Sequence, residues 1–294
     1  MKYLNRIFNR VKLLLGKKTA DKILRGIKKK IAAEKLSPFL AVILVGGDSA
    51  SKIYVSLKKK AAEKIGIGFK IFKFMETVSE KQIIEKIEAF NRDSSVSGII
   101  VQLPLPKNLD AQKIINAISP RKDVDGFTPK NIELFLRGKE RFFPVFPEAI
   151  FKLIESSGQK LNDKKALIIA NSKLFGEMMK KTLERKKIFA EYILASALIS
   201  TLSREERGTA EKIKKADILI SAIGARGIIK GEMLKKGSIV IDGGIVKVGK
   251  KVFGDADFES AKKTVGFLTP VPGGVGPVTI ACLLQNVYLA AKNK

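Results

Sequence analysis

Apolar positions in the first half of the chain alternate between two periods. Over residues 19–35 they recur every three or four positions, as in Ile23, Ile27 and Ile31, which predicts a helix with one buried face. Phe39–Val45 is then a continuous apolar run, the pattern of a strand covered on both sides. The alternation continues with helix 49–65, strand 68–75, helix 79–91 with Ser79 as its N-cap, and strand 98–102. Strands separated by helices predict a parallel sheet, because parallel neighbours need a crossover connection. Prolines and glycines interrupt residues 103–147, a linking helix is predicted over 147–157, and the rhythm restarts. Strand 165–170, a helix after Gly176, strand 188–194, helix 205–214 and strands 217–222 and 238–241 suit a doubly wound, dinucleotide-type domain. A last helix, 278–291, follows another Pro/Gly cluster and is predicted to return to the first domain.

Composition narrows the chemistry more than the fold. At 294 residues with 45% apolar content, the chain has room for two α/β domains. The net charge of +27 raises nucleic acid, anionic membranes and small anions as partners, but the lysines are scattered along the whole length rather than gathered in one stripe. The single cysteine, Cys282, excludes an intrachain disulfide and a cysteine-cluster metal site, and fits a reducing compartment. With no histidine, Ser-His triads and His-ligated zinc are excluded, leaving Lys, Tyr, Asp and Glu for proton transfer. No apolar run is long enough to span a bilayer. At the N-terminus, Leu4, Ile7, Phe8 and Val11 recur among Lys2, Arg6, Arg10 and Lys12; this basic amphipathic stretch either touches a membrane or targets the chain, or packs on its own domain.

Four segments carry candidate chemistry. In the run from Val45 to Ile67 a Gly-Gly turn leads into a helix with Tyr54 and Lys58 four apart, hence on one face. The pair is either ordinary helix surface or a general acid/base, since partial desolvation lowers a lysine pKa. In GIIVQLPLP, from Gly98 to Pro106, Gln102 ends a strand before a proline-stiffened turn, where its amide can orient an amine or a carbonyl, or simply close the strand. In KDVDGF, from Lys122 to Phe127, Asp123 and Asp125 either make an Asx-type turn or offer a carboxylate to the amidine-like edge of a pterin. In TPVPGGVGPVT, from Thr269 to Thr279, glycines allow backbone to approach a ligand and prolines stiffen the loop.

Together, in this order and with these separations, the segments resemble the methylenetetrahydrofolate dehydrogenase/cyclohydrolase family from about Leu14 to Ala291. The resemblance implies an N-terminal αβα folate/catalytic domain, residues 1–147 plus 272–294, and a Rossmann-like NAD(P)-binding domain, residues 148–271. It implies that Lys58 manages the proton during water attack on a methenyl carbon, that Gln102 orients it, that Tyr54 shapes the site and that Asp125 holds the pterin. Pro272, Gly273 and Gly274 join the substrate site on the same grounds. Ala170, Asn171, Ser172, Gly176, Ile245 and Thr279 fall on the cofactor side. Implied partners are tetrahydrofolate derivatives, NADP and a second copy of the chain, with no metal and no specific nucleic acid, in the cytoplasm.

The resemblance departs at ANSKLFGEM, residues 170–178, where family members carry Gly-Arg-Ser followed by x-x-Val-Gly-x-Pro. Asn171 lacks the guanidinium that pairs with a 2′-phosphate, Ala170 adds a methyl, and Met178 replaces proline. The segment LASALIST, residues 194–201, departs as well. NADP is therefore expected to lose its advantage over NAD and the dehydrogenase half to be weakened, unless Lys173 replaces the charge. Two other readings compete: a catalytically reduced folate-binding protein of the same fold, and an RNA- or membrane-associated protein using its basic surface.

Overall fold

The structure, a computed structural model, describes residues 11–196, 206–249 and 251–293. Leu4, Ile7, Phe8 and residues 197–201 of the LASALIST segment lie outside these. The chain divides into two compact units.

One unit comprises Ala20–Phe146 with Thr279–Lys294. Its sheet is parallel, with β2 (Phe39–Val45) between β3 (Gly68–Phe74) and β4 (Gly98–Val101). A central strand is covered on both faces, which is why β2 reads as an unbroken apolar run. Its alternate residues Ala41, Ile43 and Val45 share one core with Ile83, Ile87 and Phe90, which recur at helical spacing on α3 (Glu80–Arg92). Ser79 caps α3 through a reciprocal pair with Gln82, as its position predicted. The helix α1 (Gly16–Ala33) precedes β2, and α2 (Ser49–Lys64) follows it, begun by Asp48, whose carboxylate accepts from Ser51 N at 2.6 Å. The interrupted stretch 103–146 holds two short helices, α4 (Ala111–Asn116) and α5 (Pro129–Leu136). The final helix, of which residues from 279 belong to this unit, is fastened by Asn286 Nδ2, which donates to Val124 O at 2.8 Å and Phe143 O at 2.9 Å, and by the Tyr288 hydroxyl, 2.9 Å from a Glu34 carboxylate oxygen. The predicted return of that helix is thus what the structure contains.

The other unit comprises residues up to Thr19 with Pro147–Val278. Six parallel strands run in the order β1 (Lys12–Leu13), β11 (Phe267–Leu268), β8 (Ile239–Asp242), β7 (Ile218–Ala222), β5 (Lys165–Ala170) and β6 (Phe189–Leu194). β5 has β6 on one side and β7 on the other, so the chain reverses direction across the sheet there, and the crevice beyond the strand ends at that reversal is where such sheets bind ligands. The helices α6 (Val145–Ser156), α7 (Lys173–Glu184) and α8 (Glu206–Lys215) accompany the strands. A hairpin of β9 (Val246–Val248) and β10 (Lys251–Phe253), a short helix α9 (Phe258–Ala261) and the start of α10 (Val275–Lys292) complete the unit.

Two divisions differ from the expectation. Residues up to 19 join the six-stranded unit because Lys12 N donates to Gly266 O and Leu14 N to Leu268 O, both at 2.9 Å. A two-residue strand leaves no period to read. At the other end the division falls between Val278 and Thr279 rather than before Pro272. Helix α7 also starts at Lys173, before Gly176 rather than after it. Gly176 sits inside it, buried, where a β-carbon would lie 2.5 Å from the Tyr192 ring on β6. Its smallness serves close packing of helix on strand.

Candidate active site

Helix α2 brings Tyr54 and Lys58 to one face, both half-buried. The backbone N–H of Gln102 donates to Ile43 O at 2.9 Å, extending the β4–β2 ladder by one residue and fixing where its amide emerges. Lys58 Nζ donates to Gln102 Oε1 at 2.9 Å, while Gln102 Nε2 donates to Leu103 O at 2.6 Å. The second bond settles which end of the amide faces the lysine. Desolvation pulls the Lys58 pKa down, and the negative charge of Asp125 opposes that shift. Asp125 retains some accessible surface, but protein atoms crowd its carboxyl, and this loss of water pushes its pKa up to about 6, against the attraction of Lys58 and with a further push from Asp123. Burial likewise raises the Tyr54 hydroxyl, so it is neutral and available as a donor.

The two carboxylates of KDVDGF divide the alternatives left open by the sequence. Asp123 is buried and accepts from Gly126 N at 3.0 Å, Phe127 N at 3.3 Å, Thr128 N at 2.7 Å and Asn131 Nδ2 at 2.9 Å. It is the turn-former. Among the described residues Asp125 accepts no such bond from the turn. Ser51, missed in the sequence, shares this helix face: it lies three residues before Tyr54 and seven before Lys58, is 3% exposed, and among the described residues its Oγ has no hydrogen-bond partner. The i, i+3, i+7 spacing is the signal that could have found it.

The remaining predicted residues are described by the unit that holds them. Pro272, Gly273 and Gly274 belong to the six-stranded unit, where Gly16 N donates to Gly273 O at 2.9 Å. Ala170 is fully buried at the end of β5, so its methyl is packed inside the unit instead of standing at an exposed surface. Asn171, Ser172 and Lys173 are exposed where α7 begins, with Ser172 Oγ accepting from Phe175 N at 3.3 Å as the N-cap and Lys173 paired to Glu177 at 3.8 Å. Ile245 is 52% exposed beyond β8. Thr279 is grouped with the three-stranded unit. A groove of about 690 Å³ lies at the opposite ends of β5 and β6 from Ala170 and the first turn of α7, between Asp163, Lys165, Lys187 and Phe189.

Residues 14–125 match the family model for the tetrahydrofolate dehydrogenase/cyclohydrolase catalytic domain, and residues 144–294 match that for the NAD(P)-binding domain of the same family. The chain is 39% identical over 284 residues to the bifunctional protein FolD of Moorella thermoacetica, covering 95% of this chain and 98% of that one. It is 40% identical to the FolD protein of a Nitratiruptor species over 288 residues, 97% and 99% of the two chains. Among solved structures it resembles the FolD methylenetetrahydrofolate dehydrogenase/cyclohydrolase of Campylobacter jejuni, with a TM-score of 0.87, 36% identity and 96% and 99% coverage. It also resembles the Trypanosoma brucei enzyme solved with NADP and an inhibitor, with a TM-score of 0.88, 27% identity and 96% and 98% coverage. The likeness runs through both halves. The expected weakening of the dehydrogenase half is therefore not borne out, and a catalytically reduced protein is not favoured.

Proposed function

Because this chain belongs to the tetrahydrofolate dehydrogenase/cyclohydrolase family, we propose that it hydrolyses 5,10-methenyltetrahydrofolate to 10-formyltetrahydrofolate and oxidises 5,10-methylenetetrahydrofolate with NADP. The observation that carries the hydrolytic step is the hydrogen bond from Lys58 to Gln102 beside a desolvated Asp125. The methenyl carbon is bonded to two nitrogens and shares their positive charge, so water can add to it once a base takes a proton. Lys58, whose burial favours the neutral amine, takes that proton, and Gln102 holds the amine in place. The tetrahedral adduct then breaks its bond to N5: the hydroxyl proton passes to N5 with the bonding pair, and the formyl group stays on N10. Asp125, ionised above about pH 6, accepts two parallel hydrogen bonds from the pterin edge. Tyr54 and Ser51 donate hydrogen bonds from the same helix face.

The six-stranded unit carries the dinucleotide and the three-stranded unit the folate chemistry. The C-terminal edge of the parallel sheet fits a dinucleotide in that the first residues of α7 and Ile245 stand exposed beside it. Bound there, the nicotinamide supplies the two-electron acceptor for the oxidation.

A homodimer is supported by β6, an edge strand whose Phe189 is 65% exposed and Leu194 38% exposed. Sedimentation should give twice the chain mass for the parent and a monomer for Phe189→Lys. Cys282, the single cysteine and a buried free thiol, supports a reducing, cytoplasmic site of action. Purified protein assayed separately for methenyltetrahydrofolate hydrolysis and for reduction of NADP and NAD tests the two activities. Absence of hydrolysis would sink the assignment of Lys58, and absence of reduction that of the dinucleotide unit.

A further inference from the structure

Asn171 leaves the start of α7 without a cation for a dinucleotide phosphate, and the neighbouring loop of the same sheet edge contains one. β5 and β7 are paired up to Ala170 and Ala222, and Asn171 N donates to Ala222 O at 3.1 Å, so residues 223–227 leave the sheet beside the first turn of α7. Asp255 fixes the path of that loop: its carboxylate accepts from Ile223 N at 2.7 Å and from Gly224 N and Ala225 N, each at 2.9 Å. The next residue, Arg226, is exposed, and its guanidinium carbon lies 3.7 Å from the centre of the Phe253 ring on β10.

That stack has a chemical consequence. An aromatic face holds the guanidinium by cation–π attraction and by flat contact, and leaves the N–H donors at its edge directed away from the ring. Among the described residues no carboxylate or carbonyl accepts them. A planar, pre-oriented fork of donors matches phosphate oxygens two at a time, whereas Lys173 is a mobile point charge already facing Glu177 at 3.8 Å.

We propose that Arg226, clamped through Asp255 and stacked on Phe253, binds a phosphate of the dinucleotide in the place left by neutral Asn171. The inference rests on the reading of this unit as dinucleotide-binding and goes beyond it by naming the residue that recognises the charge.

Calorimetric titration of the parent, Arg226→Gln and Phe253→Leu with NADP and with NAD tests it. Arg226→Gln should weaken NADP binding at least tenfold, and Phe253→Leu, which keeps the charge and removes the platform, should give a smaller loss. A loss confined to NADP places the 2′-phosphate at Arg226, and an equal loss with NAD places the diphosphate there; either supports the proposal. Unchanged affinity of Arg226→Gln for both dinucleotides overturns it while leaving the dinucleotide reading intact. A parent that binds neither dinucleotide overturns the reading and the inference together.

Discussion

Asp125 in the three-stranded unit and Asp242 in the six-stranded unit both have a pKa raised to about 6, burial being the first cause in each. Their surroundings differ. Asp242 accepts from Gly244 N and Asp255 N at 3.0 Å and from Ala256 N at 2.8 Å, and the neighbouring charge of Asp255 raises it further. The glycines beside the two aspartates interlock, since a β-carbon on Gly254 would lie 2.0 Å from an Asp242 oxygen and one on Gly244 would lie 2.1 Å from an Asp255 oxygen. Among the described residues Asp125 has no such clasp, and the charge that favours its ionised form is that of Lys58. A shifted pKa therefore does not by itself mark a reactive group. A carboxylate whose oxygens are all engaged by backbone is architecture, and one left desolvated beside a cation is free to meet a ligand.

The largest expected effect breaks the chemistry of one unit without touching the other. Lys58→Met keeps the aliphatic stem and removes the amine, so hydrolysis should fall by about 10²–10⁴, the range of a lost general base. Folding should be retained by circular dichroism and thermal melting. Near-normal hydrolysis would remove Lys58 from the mechanism.

Next come the two aspartates themselves, where the same substitution should act to different extents. In Asp242→Asn the new amide NH₂ must face at least one backbone N–H that the carboxylate accepted, and leaving such donors unpaired costs about 1–3 kcal/mol each. That cost offsets the relief from removing a buried charge whose folded-state pKa is also about 6, so the variant should gain little or no stability in urea at pH 7. Asp125→Asn should be more stable there. A carboxyl with a folded-state pKa of about 6 against a usual 3.8 favours folding fully only below about pH 4, and that contribution is lost as pH rises to 6; the difference corresponds to roughly 3 kcal/mol. Asp125→Asn should therefore flatten the fall in stability between pH 4 and 6 and weaken folate binding. Equal changes in stability from both substitutions would erase the distinction drawn between them.

In the three-stranded unit the candidate residues were legible because each sits on an element with its own local signal, although Lys58 and Gln102, 44 residues apart, meet only in the fold. Tyr54 and Lys58 share a helix face through spacing alone, and the long runs around Phe39–Val45 and Gly98–Val101 announce their strands. The unread features lie on elements that carry no such signal. Asp242 and Asp255 are thirteen residues apart and meet only through the hairpin of β9 and β10, whose three-residue strands carry lysines and no readable period. The stack of Arg226 on Phe253 joins residues twenty-seven apart and also depends on β10. The resemblance puts Gly176 on the cofactor side, whereas its close packing against the Tyr192 ring depends on a partner sixteen residues away that no local pattern announces.

The smallest expected effect concerns the altered fingerprint. Asn171→Arg places a guanidinium at the exposed start of α7, where a charge-assisted pair with a 2′-phosphate contributes about 1.5–3 kcal/mol when well formed. On this surface the new side chain has no platform to orient it, and solvent screens it, so the gain in NADP affinity should be about tenfold or less, with little change for NAD. The size of that gain depends on what already binds the phosphate. If Arg226 holds it, Asn171→Arg should add little to the parent but restore most of the affinity lost in Arg226→Gln, because the two cations serve one anion and their effects are not additive. Calorimetry on the parent, the two single variants and the double variant gives the coupling directly. Strictly additive changes in NADP affinity would place the two side chains at separate phosphates and leave Asn171 with no part in the site that Arg226 serves.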